Sequence, residues 1–358
     1  MKVISLKKKE GDQTAQRKIE HVQIALHRDV QFVKKTPGFE EMELEYVSLP
    51  ELDAEHIQTK TQFLGHSFSF PYLVSSMTGG HDKTTLINQQ IARACEEVGI
   101  GMGLGSTRAA IEKPETFSSF DVRKYAPHIF LACNLGVSNL KKYSTQKIQK
   151  LINDLQCDAL IIHTNAAQEI VQSEGTPQFS HCLNEIKRLA QGLDVPVIVK
   201  EVGNGLSPSV VKQLNKLPIA AIDIAGAGGT SWTAIESMRG TMNNRELGEK
   251  FWDVGIPTVP ALIGARRVTK KPLVGSGGVR SGQDILKCMV LGANMGASAI
   301  PIILTQHKSG VPGIVSHIEK LQREFRAGMF LCGAKNVKEL HGKKYYLFGK
   351  TKEWVGQL

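Results

Sequence analysis

The sequence predicts a (β/α)8 TIM barrel, and three observations carry that prediction. Eight short apolar or β-branched runs recur along the chain, starting at Tyr72, Ile100, Ile129, Ala159, Val195, Ala220, Lys271 and Met295. Helical patterns lie between most of them, at 84–98, 145–155, 179–192, 208–217 and 281–291. Strands alternating with helices pair in parallel, and near-continuous apolar runs mark strands buried on both faces. The third observation is spacing. The runs start 24 to 36 residues apart, with one interval of 51, and an eight-unit barrel of about 250 residues needs about 31 per unit. The rival is a doubly wound sheet using Gly99–Gly105 as a nucleotide turn. Those glycines alternate within a strand and no helix begins on cue, which is the wrong context for that motif.

Composition sets outer limits. The 358 residues carry 44 Lys+Arg against 34 Asp+Glu, a formal charge of +10, with 41% apolar residues and 34 glycines. That excludes wholesale disorder. A chain this long buries roughly 75% of its unfolded surface without staples or metals. Only 6% of residues are aromatic, which argues against a base-stacking surface. The basic residues form short clusters, at Lys7–Lys9, Lys34–Lys35, Lys141–Lys142, Arg266–Arg267 and Lys343–Lys344. None is a stripe interleaved with aromatics, so no nucleic-acid partner is expected, while a positive field suits a small phosphorylated ligand. The six cysteines (95, 133, 157, 182, 288, 332) have no ligand spacing and read as reduced core thiols. The start MKVISLKKKEGDQ is too polar for a secretory leader, and no run reaches the 18 or so apolar residues of a membrane span. A cytoplasmic protein is expected.

Taken in order, residues 1–65 form an N-terminal extension with a helical segment HVQIALHRDVQF and an acidic stretch at 40–55. The barrel is expected over 66–335 and a tail over 336–358. Barrel chemistry sits at the C-terminal strand ends. Those ends read Met77-Thr78-Gly79-Gly80, Ser106-Thr107-Arg108, Asn134, His163-Thr164-Asn165, Lys200-Glu201, Gly226–Thr230, Gly277-Gly278-Val279-Arg280 and Ala297-Ser298. The 51-residue sixth unit, containing Arg239–Arg245, is expected to carry a long loop over the active face.

Several of these ends suggest chemistry. SGGVRSG opens into a helix and LGANMGAS follows with small residues. Backbone N–H groups at a helix start bind phosphate, and units seven and eight are the common phosphate site of this fold. Lys200, closing an apolar VPVIVK run, needs an anionic partner. It reads as a Schiff-base lysine, a cation facing a reduced anionic flavin, or an ion pair with Glu201. His163, Gln168 and Glu169 offer a proton carrier, a polar orienter and a hard oxygen ligand; one carboxylate plus substrate phosphates is a usual way to hold Mg2+. Arg17, Lys18 and His21 are either solvated charge or, with a diphosphate present, a clamp.

MTGG (77–80), GS-x-R (105–108), HTNAAQE (163–169), KEVGNG (200–205), AGAGGTSW (225–232) and SGGVRSG (276–282) resemble the type 2, FMN-dependent isopentenyl-diphosphate delta-isomerases. R-K-x-x-H at Arg17–His21 fits the same family. The resemblance implies an FMN flavoprotein of isoprene biosynthesis that interconverts isopentenyl and dimethylallyl diphosphate. It further implies reduced FMN as acid–base, NADPH (NADP-linked) as reductant, Mg2+ for the diphosphate, and a homo-oligomer, tetramer or octamer. The FMN site would be Met77, Thr78, Gly79, Ser106, Asn134, Lys200, Thr230, Gly278, Arg280, Ala297 and Ser298. Arg17, Lys18, His21, Ser106, Arg108 and Gln168 would bind substrate, Glu169 would hold the metal, and Gln168, His163 and Lys200 would serve the proton transfer. The chain departs from the family pattern at Thr107, at Ala225 and in SEGTPQF after Glu169. Two other readings stay open: a different FMN barrel, such as a 2-hydroxy-acid oxidase or inosinate-dehydrogenase-like enzyme, and a non-catalytic phospholigand-binding protein.

Overall fold

The chain enters through helix α1 (Glu10–His27) and strand β1 (Met42–Leu44), then turns through the hairpin β2 (Thr61–Phe63) and β3 (His66–Phe68). Eight parallel strands follow: β4 (Tyr72–Val74), β5 (Gly101–Gly103), β6 (Leu131–Gly136), β7 (Ala159–Thr164), β8 (Val197–Glu201), β9 (Ala221–Asp223), β10 (Leu273–Ser276) and β11 (Met295–Ser298). They close on themselves, with β11 pairing β4 and β9 pairing β10. This is the predicted barrel. The computed structural model describes residues 10–358, so the Lys7–Lys9 cluster lies outside it. Every residue of β4, β5, β6, β8, β9, β10 and β11 is buried, which explains the near-continuous apolar runs.

The outer helices are α2 (Asp82–Val98), α3 (Arg108–Glu112), α4 (Thr145–Asp154), α5 (Ala166–Val171), α6 (Cys182–Gly192) and α7 (Pro208–Asn215). Next come α8 (Trp232–Arg239), α9 (Met242–Lys250), α10 (Thr258–Val268), α11 (Gly282–Val290) and α12 (Ile300–Leu331). Serine hydroxyls at 144, 207, 231 and 281 accept first-turn N–H groups of α4, α7, α8 and α11, satisfying donors that each helix start leaves open. Gly310, at φ 57 and ψ −149, breaks α12 into two pieces.

The sixth unit departs from expectation. It holds no long loop: α8 and α9 fold there before α10 covers the barrel. The polar sequence of α9, MNNRELGEK, buries only Gly248, so it shows no apolar stripe to read. The C-terminal segment is also built in. Strand β12 (Tyr345–Leu347) pairs antiparallel with β1, and α13 (Gly349–Gly356) packs against α10.

Aromatic rings close the N-terminal end of the barrel. Phe63 and Phe68 from the hairpin lie 6.1 and 6.0 Å from Phe130, which immediately precedes β6, and Phe70 stacks on Tyr72 at 5.5 Å. All five are buried, each contributing about 1.5–3 kcal/mol of hydrophobic stabilisation. The barrel is thus sealed at the floor, and a ligand must enter at the other end. No helix of the described residues is long and apolar enough to cross a membrane.

Candidate active site

A cavity occupies the C-terminal mouth. The ends of β4 to β11 line it, together with α1 on one side and α8 on another. Of the residues singled out in the sequence, Arg17, Lys18, His21, Met77, Thr78, Ser106, Arg108 and Asn134 face this space. His163, Gln168, Glu169, Lys200, Thr230, Gly278 and Arg280 face it too. Three do not. Gly79 packs against Phe120, Ala297 lies within β11, and Ser298 hydrogen-bonds Tyr72 at 2.6 Å below the mouth. At the eighth strand it is Ala299 and Ile300, just beyond, that reach the cavity.

The glycine cradle at β10 is a matter of backbone approach. A Cβ on Gly277 (φ +98) would fall 2.0 Å from the Gly226 carbonyl oxygen, so only glycine fits there. The start of the helix that follows is partly capped by side chains. Several N–H groups at its start have protein partners: Arg280 and Ser281, just before the helix, reach Asp284 Oδ2 at 2.9 Å, Gly282 reaches Glu324 Oε2 at 2.7 Å and Asp284 reaches Ser281 Oγ at 3.1 Å. The capping box Ser281/Asp284 takes up part of the donor set at the start of α11. By contrast α12 starts with no side-chain cap, and its first residues face the cavity, which leaves that end the open one.

The ion pair with Glu201, one of three readings open for Lys200, does not form. Lys200 Nζ meets Asp223 Oδ2 at 3.1 Å instead. Glu201 Oε2 instead accepts N–H groups from Val202, Gly203 and Asn204 at 2.6, 2.6 and 2.5 Å. It shapes the VGNG turn, leaving Lys200 free to face the mouth. Asp223, in turn, accepts the Ser276 hydroxyl at 2.5 Å.

The fourth strand presents His163, whose Nδ1 lies 2.7 Å from Asn134 Oδ1. With the proton on Nδ1, Nε2 is a bare acceptor. Burial, then Lys200, Arg108, Arg17 and Lys18, push its pKa down to about 3, so the imidazole is neutral. Glu169 accepts Asn165 Nδ2 at 2.9 Å and Thr176 N–H at 2.5 Å.

Opposite stands α1. Lys18 Nζ donates to Ser106 O at 2.9 Å and lies over the Phe120 ring at 5.1 Å. Burial, Arg17 and Arg108 depress its pKa to about 7. Three cations thus crowd one corner, Arg17 held 3.6 Å from Glu174 and Arg108 3.6 Å from Glu112, and together they suit a polyanionic ligand.

Glu236, which the sequence reading missed, ties this corner together. It is 1% exposed and accepts from His21 Nε2 at 2.8 Å, Gln168 Nε2 at 2.8 Å and Arg239 Nη1 at 2.5 Å. Burial favours its neutral form, but these partners outweigh it and hold the pKa to about 2. Within WTAIESMR the Glu236/Arg239 pair looks like ordinary helix-surface charge; nothing local signals burial.

Four buried polar atoms on the cavity wall have no partner: Ser76 Oγ, Thr78 Oγ1, Asn139 Oδ1 and Asn165 Oδ1. Such orphans cost about 1–3 kcal/mol each and here point to a bound polar group. They and the glycine cradle fit a phosphorylated planar cofactor such as FMN. Among the described residues no three His, Cys, Asp or Glu side chains cluster for a metal. Glu169 with neighbouring amide oxygens suits a hard cation that takes its other ligands from phosphate.

Barrel and mouth together define an FMN-dependent class. The model of the FMN-dependent dehydrogenase family matches residues 134–346, and the chain belongs to that family. Within it, the chain belongs to the isopentenyl-diphosphate delta-isomerases: it is 40% identical to the enzyme of that name from Methanosarcina barkeri over 96% of this chain and 95% of the relative. It is 41% identical to the one from Methanococcoides burtonii, covering 96% of both, and 40% identical to that of Pyrococcus abyssi over 97% and 96%. A point mutant of flavocytochrome b2 shares the fold at TM-score 0.70 and 18% identity, covering 96% of this chain and 86% of that one. A point mutant of mandelate oxidase, solved with an FMN adduct, shares it at 0.61 and 16%, covering 92% of both.

Proposed function

We propose that this chain interconverts isopentenyl and dimethylallyl diphosphate by a 1,3-allylic proton shift, with reduced FMN, Mg2+ and an NAD(P)H-derived reductant. The observation that carries this reading is the pairing of two anion sites across one mouth. Glycines 277 and 278 and the uncapped start of α12 lie at one edge; Arg17, Lys18 and Arg108 lie at the other. A phosphorylated cofactor and a diphosphate substrate need both.

Reduced FMN, when bound, supplies the acid–base group for a substrate whose allylic carbons are too weakly acidic for ordinary side chains. The chain's residues do the rest. Arg17, Lys18 and Arg108 hold the diphosphate, with Glu169 completing the shell of a Mg2+ on its oxygens. Gln168 is fixed at both amide ends, Oε1 to Asn165 and Nε2 to Glu236, so it orients rather than wanders. His163, neutral and oriented by Asn134, would line the proton path. Lys200 would supply positive charge to the anionic form of the reduced flavin. Trp232, Ile235 and Ile303 form the apolar wall for the hydrocarbon and keep water out.

The test is anaerobic isomerisation with FMN, with and without dithionite. Activity only after reduction, with many turnovers per reducing equivalent, supports the proposal; full activity with oxidised flavin sinks it. Stoichiometric NAD(P)H consumption would instead make the protein an oxidoreductase. Glu169→Gln should weaken Mg2+ dependence while the purified protein stays yellow.

A further inference from the structure

Lys200, Asp223 and Ser276 stand at the ends of three adjacent strands. Lys200 and Asp223 are cross-strand partners between β8 and β9, and Ser276 ends β10 beside them. The lysine and carboxylate side chains are 9% and 5% exposed and lie 3.1 Å apart. Asp223's other oxygen takes the Ser276 hydroxyl at 2.5 Å. Lys200 and Ser276 line the cavity and Asp223 does not. A carboxylate therefore backs the Lys200 ammonium at this part of the mouth, itself off the cavity.

We propose that Asp223 sets how strongly Lys200 acts on the group bound above it, and thereby tunes the reduction potential of the flavin. This rests on the FMN reading above. Adding two electrons and one proton to the ring leaves it with one extra negative charge, so a nearby ammonium favours the reduced form. A buried carboxylate behind that ammonium offsets part of its field, because low-dielectric surroundings screen neither. The Ser276 hydroxyl draws negative charge toward itself and away from Lys200. Asp223 is a positioning residue: it lies behind Lys200 and off the cavity, so it acts on the bound group without touching it.

The arrangement makes two substitutions push in opposite directions. Asp223→Asn keeps the shape but exposes the full lysine charge. Reduced FMN should then gain on the order of tenfold in affinity over oxidised FMN, which is about 30 mV toward positive potential for a two-electron couple. Ser276→Ala releases carboxylate charge onto Lys200 and should give a smaller shift toward negative potential. A purely structural role would weaken both redox forms alike and leave their ratio unchanged.

The experiment is a spectroelectrochemical titration of FMN bound to the wild-type protein and both variants, beside FMN affinity and thermal midpoint. If the wild-type protein takes up no FMN, the cofactor reading itself fails. If it binds FMN and Asp223→Asn leaves the potential unchanged or more negative, this inference alone is overturned. Should Asp223→Asn not fold, Ser276→Ala decides: an unchanged or more positive potential overturns it.

Discussion

The two ends of the barrel are built on opposite rules. The floor is packed with Phe63, Phe68, Phe70, Tyr72 and Phe130, and Tyr72's hydroxyl is satisfied by Ser298. The mouth keeps four unpartnered polar atoms and a crowd of cations. It also keeps Ala225 at φ 42, a left-handed backbone that alanine adopts only at a cost. Ser69 Oγ is a lone unpaired hydroxyl near the floor. What differs is where free energy goes. The floor stabilises the fold; the mouth gives up stability to hold groups ready for a ligand.

The comparison can be broken from either end. Phe130→Ala should have the largest effect, a loss of about 3–5 kcal/mol in denaturant unfolding, with FMN affinity of the folded protein unchanged. A loss near zero would remove the floor from its role. Arg17→Ala should raise the KM for the diphosphate substrate ten- to a hundredfold, or about 1.5–3 kcal/mol. Burial and Arg108 already depress this guanidinium, so stability should hold or improve, and a large drop in thermal midpoint would contradict a purely ligand-directed role.

Lys18 makes the next contrast a pH effect. Its pKa of about 7 leaves it mostly neutral at pH 8, and a bound polyanion raises that value. Binding should therefore take up part of a proton at pH 8 and weaken as pH rises, by up to about tenfold. Calorimetry in two buffers of different ionisation enthalpy measures the uptake; Lys18→Met should abolish it, and equal uptake in both proteins would assign the proton elsewhere. The smallest effect is Thr78→Val. Removing an unpartnered hydroxyl should change ligand-free stability by less than about 1 kcal/mol, in the stabilising direction, while FMN retention falls several-fold. Clear destabilisation would mean the hydroxyl has a partner after all.

The barrel was legible because its strands are buried on both faces, so their apolar runs and spacing survive without any alignment. Helix α9 was not, since a helix that buries one glycine carries no stripe. The strand-end rule found most of the cavity wall, from Met77 to Arg280. It failed where burial is set by distant packing: Glu236 becomes a buried hub because α1 and α5 both pack on α8. Asp223 had a signal that went unread. A carboxylate within the apolar run AAIDIAG demands a partner for the same reason that Lys200 does. The capping box on α11 shows a further limit: Ser281 and Asp284 were visible, but which donors they consume is a matter of geometry.

The contacts of α1 have a consequence in time. His21 and Glu236 are 215 residues apart, and Lys18 and Ser106 are 88 apart. At about 5–20 residues per second of synthesis, α1 leaves the ribosome about 10–40 s before Glu236 exists. The barrel staves between them form in the interval. The helix that carries Arg17 and Lys18 is thus the first of the described elements to be made, and its contact with Glu236 forms only after six barrel strands have been synthesised.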